Sequence, residues 1–347
     1  MIMVGAMAAV LWGVGLAMGT PVRARLVMIG ILFAAVIVVQ LALPDGHPLR
    51  AATGGDVRLW LLLLGFGGAA YSYRALLRNL RNRAQPSAPV AAKSDSFSDT
   101  ELDRYARHII LREVGGQGQK ALRNARVLVV GAGGLGAPAL QYLGAAGVGT
   151  IGIIDDDVVE NANLQRQVIH TDGRIGMTKV HSAAEALTAQ NPFINVRTYL
   201  RRFDEGVAAE LLDDYDLILD GTDNFDTRYL VNKTAVATEK PLIAAALTQW
   251  EGQISLYDPA NGTPCYLCVF PTAPDPSLVP TCAEAGVIGP LPGVIGAMMA
   301  VEAIKYLTGA GDTLAGRLHL YDALYAESRT ITIKPRADCP ICAAKQG

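Results

Sequence analysis

The sequence predicts an α/β fold, a doubly wound, Rossmann-like, mainly parallel sheet preceded by an all-α membrane region, and three observations carry that expectation. The stretch RVLVVGAGGLGAPALQYLGAAGVGTIGIIDDD, starting at Arg126, is an apolar strand, a glycine-rich turn, an apolar helix and a second strand in series. From there to PLIAAAL, ending at Leu247, strand-like runs alternate with helical ones. The long apolar runs are confined to the chain before Asp99, and the remainder of the chain has the mixed composition of a soluble domain.

The apolar region comes first in the chain. Leu26 to Leu43 (LVMIGILFAAVIVVQLAL) holds only Gln40 as a strongly polar side chain and has nearly the length a helix needs to cross a bilayer. Met1 to Gly19 is uncharged, and Leu59 to Leu77 is apolar apart from Arg74, which can snorkel, so three spans are expected. A cleaved signal peptide is the rival reading of the first, but the stretch lacks the basic start such peptides carry. Arg23 and Arg25 fall between the first two stretches, and Arg74, Arg78, Arg81 and Arg83 follow or close the third, which puts the basic sides in the cytoplasm. The N-terminus is then outside, and the soluble domain faces the cytoplasm from the inner (cytoplasmic) membrane. AQPSAPVAAKSDSFSD has the Pro/Ala/Ser content of a tether. The expected divisions are residues 1–83 as membrane region, 84–97 as linker and 98–347 as soluble domain. With 347 residues and a net charge of −2, the chain has room for one large α/β domain and carries no electrostatic sign of nucleic-acid binding.

Ser98 followed by Glu101 is a capping-box signal, so a helix is expected to open near Thr100 and carry ELDRYARHIILREVG. By periodicity its arginines, Arg104, Arg107 and Arg112, read as a solvated face. In the turn after the first strand, Gly131, Gly133, Gly134 and Gly136 fit G-x-G-x-x-G, and Asp155 lies at about the distance that suits ribose hydroxyls. This geometry holds either NAD or ATP. Further helices are expected from Thr178 and near Gly206 to Leu212, with strands near Val196 and at Leu217 to Leu219. Asp220, Asp223 and Asn224 come at the carboxyl end of that last strand, where doubly wound sheets bind ligands and where turn and cap chemistry also uses such residues.

No Walker motif and no G-x-S-x-G elbow is present, and His47, His108, His170, His181 and His319 show no ligand spacing, so each reads as packing or surface. CYLC (Cys265, Cys268) and CPIC (Cys339, Cys342) are two C-x-x-C knuckles far apart in the chain. Together they supply a closed tetrahedral zinc shell, a structural site without an open position for water. Disulfides are the competing reading in an oxidising compartment. Cys282, in PTCAEAGV, is left over. The apolar helix expected over Gly293 to Gly309 carries Glu302 and Lys305 in its middle, which suits a domain core or subunit interface better than a bilayer.

Taken in order, RYARHIIL, GAGGLG, NANLQRQ, GMTK, DGTDN, CYLC, TCAEAGV, GVIG and CPIC resemble the MoeB/ThiF adenylyltransferases, relatives of ubiquitin-activating enzymes, with MoeB the nearer pattern. The resemblance spans the chain from about Thr100 to its end and does not touch residues 1–97. It implies that the C-terminal glycine of a ubiquitin-like sulfur carrier ending in Gly-Gly attacks the α-phosphate of ATP, giving an acyl-adenylate and pyrophosphate for molybdopterin or thiamine biosynthesis. Under it Asp155 holds the ribose, Gly133 and Gly134 bring amides to the nucleotide, and Asn163, Arg166 and Lys179 surround the phosphates. Asp223 holds Mg²⁺, Arg107 reaches in from the second subunit of a homodimer, and Cys282 matches a cysteine that is covalently acylated in some relatives. No rhodanese-like segment follows in this sequence, so the sulfur donor is expected to be a separate molecule. An NAD-binding oxidoreductase leaves Arg166, Lys179 and Asp223 unexplained. A membrane-tethered adaptor that has lost catalysis is disfavoured by the intact phosphate residues.

Overall fold

The computed structural model of the chain describes every residue except 1, 45, 57, 59, 63, 64, 69–71, 74–95, 275–284 and 344–347. The chain divides into two compact units, Met1–Pro89 and Val90–Gly347.

In the first unit α1 (Ile2–Ala17), α2 (Val22–Ala42) and the short α3 (Pro48–Ala52) come one after another. Val4, Val36 and Trp60 form a small buried cluster. Ala24–Ala42 is the span-length apolar helix here, whereas α1, with 16 residues, reaches only about 24 Å at helical rise. About half of the expected third stretch, Leu59 to Leu77, lies outside the described residues. Arg23 and Arg25, between the first two expected spans, fall in the first turn of α2, which opens after Pro21. Arg25 Nε donates to Thr20 O at 3.0 Å and its guanidinium lies 5.1 Å from the Trp12 ring centroid. Gln40, the polar residue of the apolar run, is 1 % exposed and donates to Arg50 O (3.0 Å) and Thr53 Oγ1 (2.8 Å), so its amide is satisfied by the turn beyond its own helix.

The second unit opens with α4 (Asp99–Ile109), whose Ser98 and Glu101 form the reciprocal capping box that the sequence signals. After α5 (Gly115–Asn124) the chain alternates: β1 (Arg126–Val130), α6 (Gly136–Ala146), β2 (Thr150–Ile154), α7 (Lys179–Gln190), β3 (Asn195–Tyr199), α8 (Glu205–Asp213), β4 (Leu217–Asp220), α9 (Phe225–Ala237) and β5 (Leu242–Leu247). β6 (Glu251–Tyr257), the one-turn α10 (Tyr266–Val269), α11 (Pro290–Thr308), β7 (Arg317–Asp322) and β8 (Glu327–Thr332) complete it. The eight strands form one sheet in the order β3-β2-β1-β4-β5-β6-β7-β8. The pairs up to β4-β5 are parallel, and β5-β6, β6-β7 and β7-β8 are antiparallel.

Strands β1, β2 and β4 are buried on both faces, which is why they read as continuous apolar runs rather than alternating ones. One core lies between the sheet and α6, α7 and α11, with Leu140, Leu143, Ile151, Ile295 and Met299 inaccessible to solvent. A second lies on the other face under α8 and α9, around Leu128, Tyr215, Ile218 and Val231. Glu302 of α11 is 6 % exposed and accepts from Leu314 N (2.7 Å) and from Lys305 Nζ, so the helix whose apolarity suggests a span is a core helix of the sheet.

Candidate functional site

The strand order changes direction between β1 and β4, and the loops leaving the carboxyl ends of these two strands diverge to opposite faces and open a cleft between them. Gly131, the first residue after β1, has φ +91°, and its N–H donates to Ile154 O at 2.9 Å. A Cβ at Gly136 would sit 1.9 Å from Gly131 O, so the turn closes only if that position has no side chain. The loop of β4 closes against the same turn, because Gly221 N donates to Val130 O at 3.0 Å. Gly133 and Gly134 stand at the mouth of α6, where the first amides of the helix have no intrahelical acceptor and attract phosphate.

Asp155, past the end of β2, accepts from Ala132 N (2.7 Å) and Asp157 N (2.8 Å) and so braces the glycine turn as well as facing the cleft. Burial raises its carboxyl above the usual carboxylate range, opposed by the Ala132 amide and the nearby Lys179 charge. The carbonyl of Ala132, in the next peptide, is held by His170. Its Nε2 lies 3.0 Å from Ala132 O, which can only accept, so Nε2 carries the proton and Nδ1 accepts from Ser182 Oγ at 2.9 Å. Burial lowers the pKa of this imidazole and favours the neutral ring that this arrangement uses.

Two cations face the glycine turn. Arg166 donates to Asn163 Oδ1 (2.9 Å) and Ala162 O (3.2 Å), with its Cδ 4.0 Å from the Cβ position of Gly134. Lys179, at the first position of α7, is 5 % exposed and pairs with Asp157 Oδ2 at 2.6 Å. From β4, Asp220 accepts from Thr222 N and Oγ1, Asn224 caps α9 through Thr227 N, and Asp223 between them is exposed. Thus Asp220 and Asn224 do turn and cap work, and Asp223 is the carboxylate of this loop that lines the cleft.

The cleft has a volume of about 1240 Å³ and brings together Gly131, Gly133, Gly134, Asp155, Arg166, Lys179 and Asp223. Of the other expected residues, Asn163 reaches it only through Arg166, Gly136 shapes the turn from behind, and Arg107 is exposed on α4 away from this chain's own cleft. Cys282 lies outside the described residues. Asp157, Gln167, His170 and Arg228 join the site without having been singled out, although Asp157 closes the IIDDD stretch and Gln167 closes NANLQRQ. Gln167 lines the cleft with its buried Oε1 unpartnered, and Arg228 lies behind Thr222. Outside those stretches, Arg228 leaves a trace in the sequence as a charge beside Thr227 and Val231 on the buried face of α9.

Away from the cleft, both C-x-x-C knuckles meet. Cys265, Cys268, Cys339 and Cys342 are all free and buried, with Sγ separations of 3.8 Å (Cys265 to Cys268), 3.7 Å (Cys265 to Cys339) and 3.3 Å (Cys268 to Cys342). Four sulfurs at about 2.3 Å from one zinc ion sit about 3.8 Å apart along the tetrahedron's edges, so the cluster fits such an ion. Arg336 N donates to Cys268 Sγ at 3.4 Å, the backbone support that bound thiolates take. Burial pushes the Cys265 thiol up to about 11, so without a cation this thiol resists ionisation, and a metal overcomes that cost.

Residues 105–341 match the ThiF family. The chain is 50 % identical over 250 residues to the sulfur carrier protein adenylyltransferase of Thermus thermophilus, covering 71 % of this chain and 92 % of that one. It is 49 % identical over 255 residues to the probable adenylyltransferase/sulfurtransferase MoeZ of Mycobacterium tuberculosis, covering 73 % of this chain and 65 % of MoeZ, so it spans under two thirds of that relative. It is 47 % identical to the SAMP-activating enzyme E1 of Haloferax volcanii over 71 % of this chain and 91 % of that one. Among solved structures, E. coli MccB with ATP superposes with a TM-score of 0.59 at 24 % identity, covering 65 % of this chain and 69 % of that one, a likeness of fold.

Proposed function

The chain belongs to the ThiF family, and on that premise we propose that it is a nucleotidyltransferase that adenylylates the C-terminal glycine of a ubiquitin-like sulfur carrier protein. The observation that carries this is convergence. The glycine turn after β1, Arg166, Lys179 and Asp223 come from four separate stretches of sequence and line one cleft. A carboxylate oxygen of the carrier forms a bond to the α-phosphorus of ATP while the bond from that phosphorus to the pyrophosphate oxygen breaks. The nucleophile is already ionised, so the barrier is mainly repulsion between anions, and what the site must supply is positive charge and position. Arg166, Lys179 and the amides at the mouth of α6 supply that charge, with Lys179 exchanging Asp157 for a phosphate oxygen. Asp155 takes the ribose. Asp223 would hold Mg²⁺, which supplies charge neutralisation on the phosphates.

In this reading Arg107 completes the site of a second copy in a homodimer, and zinc on the four cysteines is structural. The named relatives support a carrier used in molybdopterin or thiamine biosynthesis or in another sulfur-transfer pathway. The test is exchange of labelled pyrophosphate into ATP with candidate carriers ending in Gly-Gly. Exchange must require both the carrier and Mg²⁺. A chain stabilised against heat by NADH and not by ATP is an oxidoreductase instead, and a chain that binds ATP and carrier without exchange is an adaptor.

In the same reading the N-terminal unit anchors the enzyme to the inner membrane and the catalytic domain faces the cytoplasm, where ATP and reduced thiols are found. This rests on the apolar α1 and α2 and the arginines at the start of α2 and after residue 73. With three spans, a reporter that works only outside the cytoplasm is active when fused at the N-terminus and silent when fused after Arg83. An active second fusion rules out adenylation as stated, and a silent first fusion reduces the spans to two.

A further inference from the structure

A continuous set of contacts joins the cysteine cluster to the cleft. Tyr266 directly follows Cys265, and its N–H donates to Asn232 Oδ1 on α9 at 2.8 Å. Its ring is 3 % exposed and packs among Tyr229, Tyr257 and Phe270, and the guanidinium of Arg228 lies 5.7 Å from the ring centroid. Arg228 is itself 4 % exposed. Nη1 donates to Ala245 O on β5 at 2.8 Å, and Nη2 donates to Thr222 O, the carbonyl immediately before Asp223. Asp220 Oδ2, buried and without a hydrogen bond, lies 3.9 Å from Nη1.

A guanidinium removed from water is tolerated only where its donors are used and its charge is balanced. Here two carbonyls, one carboxylate and the face of Tyr266 do this, and each also fixes where the guanidinium can lie. A carbonyl held at Thr222 fixes the peptide plane that leads into Asp223. The direction of the Asp223 carboxylate therefore depends on Arg228, and the seat of Arg228 depends on a ring carried by the cysteine knuckle.

We propose that Arg228, seated by Tyr266, is a positioning residue for the Asp223 loop, so that the four-cysteine cluster sets the geometry of the nucleotide cleft as well as stabilising the fold. This rests on the adenylylation reading for its rate measurement. The test uses full-length Arg228→Lys, Tyr266→Leu and Tyr266→Phe. Zinc per chain, ATP binding with and without Mg²⁺, and the rate and Mg²⁺ dependence of pyrophosphate exchange are measured for each.

Arg228→Lys keeps the charge but cannot hold both carbonyls in one plane. It is expected to retain zinc and Mg²⁺-free ATP binding while kcat falls by about tenfold or more and the Mg²⁺ midpoint rises by about tenfold, with KM for ATP at saturating Mg²⁺ little changed. Tyr266→Leu should behave alike, and Tyr266→Phe, which keeps the ring, should recover most of the lost rate. Unchanged kcat and Mg²⁺ midpoint in Arg228→Lys overturns the inference, as does a loss of rate in Tyr266→Leu that only follows its loss of zinc. Should the wild-type chain show no exchange, the activation reading fails by itself. The variants are then judged by the strengthening of ATP binding that Mg²⁺ produces, which Arg228→Lys loses if the inference holds and keeps if it does not.

Discussion

Asp223→Ala is expected to abolish carrier-dependent pyrophosphate exchange while leaving the fold intact. The side chain is exposed in the cleft and enters no ion pair among the described residues, so its removal changes stability by no more than about 0.5 kcal/mol. What is lost, in the proposed reading, is the carboxylate that would hold Mg²⁺ on the phosphates. Lys179→Ala should slow exchange by about a hundredfold or more if the ammonium neutralises charge that develops on the phosphates. Its stability effect is modest, because the partner it leaves, Asp157, is 65 % exposed and can be solvated. Labelled-pyrophosphate exchange read beside a thermal melt separates the two effects, and wild-type exchange in both variants would sink the assignment.

Cys339→Ser should cost the protein its metal. Wild-type chain purified without chelators is expected to carry one zinc per molecule, and the variant close to none, since three thiolates leave an open tetrahedron in a buried place. Cys265 and Cys339 are 74 positions apart, and a crosslink over a loop of that length stabilises by about 4 kcal/mol in the chain-entropy account. For a unit of this size the melting point then falls by roughly 10 °C. Elemental analysis that finds no zinc in the wild-type protein ends this reading.

The parts of the fold legible in the sequence are those with a local cause. Ser98 and Glu101 announce the start of α4 because a capping box is complete within four residues, and β1, β2 and β4 are visible because strands buried on both faces must be apolar throughout. The antiparallel extension is hidden for the opposite reason. Every residue of β8 is exposed, so ESRTIT carries no pattern of burial, and its place is set by pairing with β7 alone.

In the site, the glycine turn and the cations are marked by motif, whereas the roles of His170 and Arg228 arise from packing. The histidine braces Ala132, 38 positions away, and Arg228 grips a carbonyl on the strand after its helix. A buried arginine reads as a surface residue until its acceptors are seen. The start of α2 ahead of Arg23 and Arg25 is hidden for a related reason. Charge marks the side of the membrane but not the residue at which a helix begins, and here Pro21 decides that.

The meeting of the two knuckles also changes what kind of object the polymer is. With a metal bound, the stretch from Cys268 to Cys339 becomes a closed circle, and the two ends of the chain are tails that leave it at one point. A single break in a string releases a piece, but a single break in a circle does not. Cleavage between Cys268 and Pro290 leaves both fragments fastened at the metal, and the fragment carrying α11, β7 and β8 stays laced to the sheet through β6. A cut there is therefore held at two places, and withdrawing the metal leaves the pairing of β6 with β7 as the remaining strand contact between the fragments.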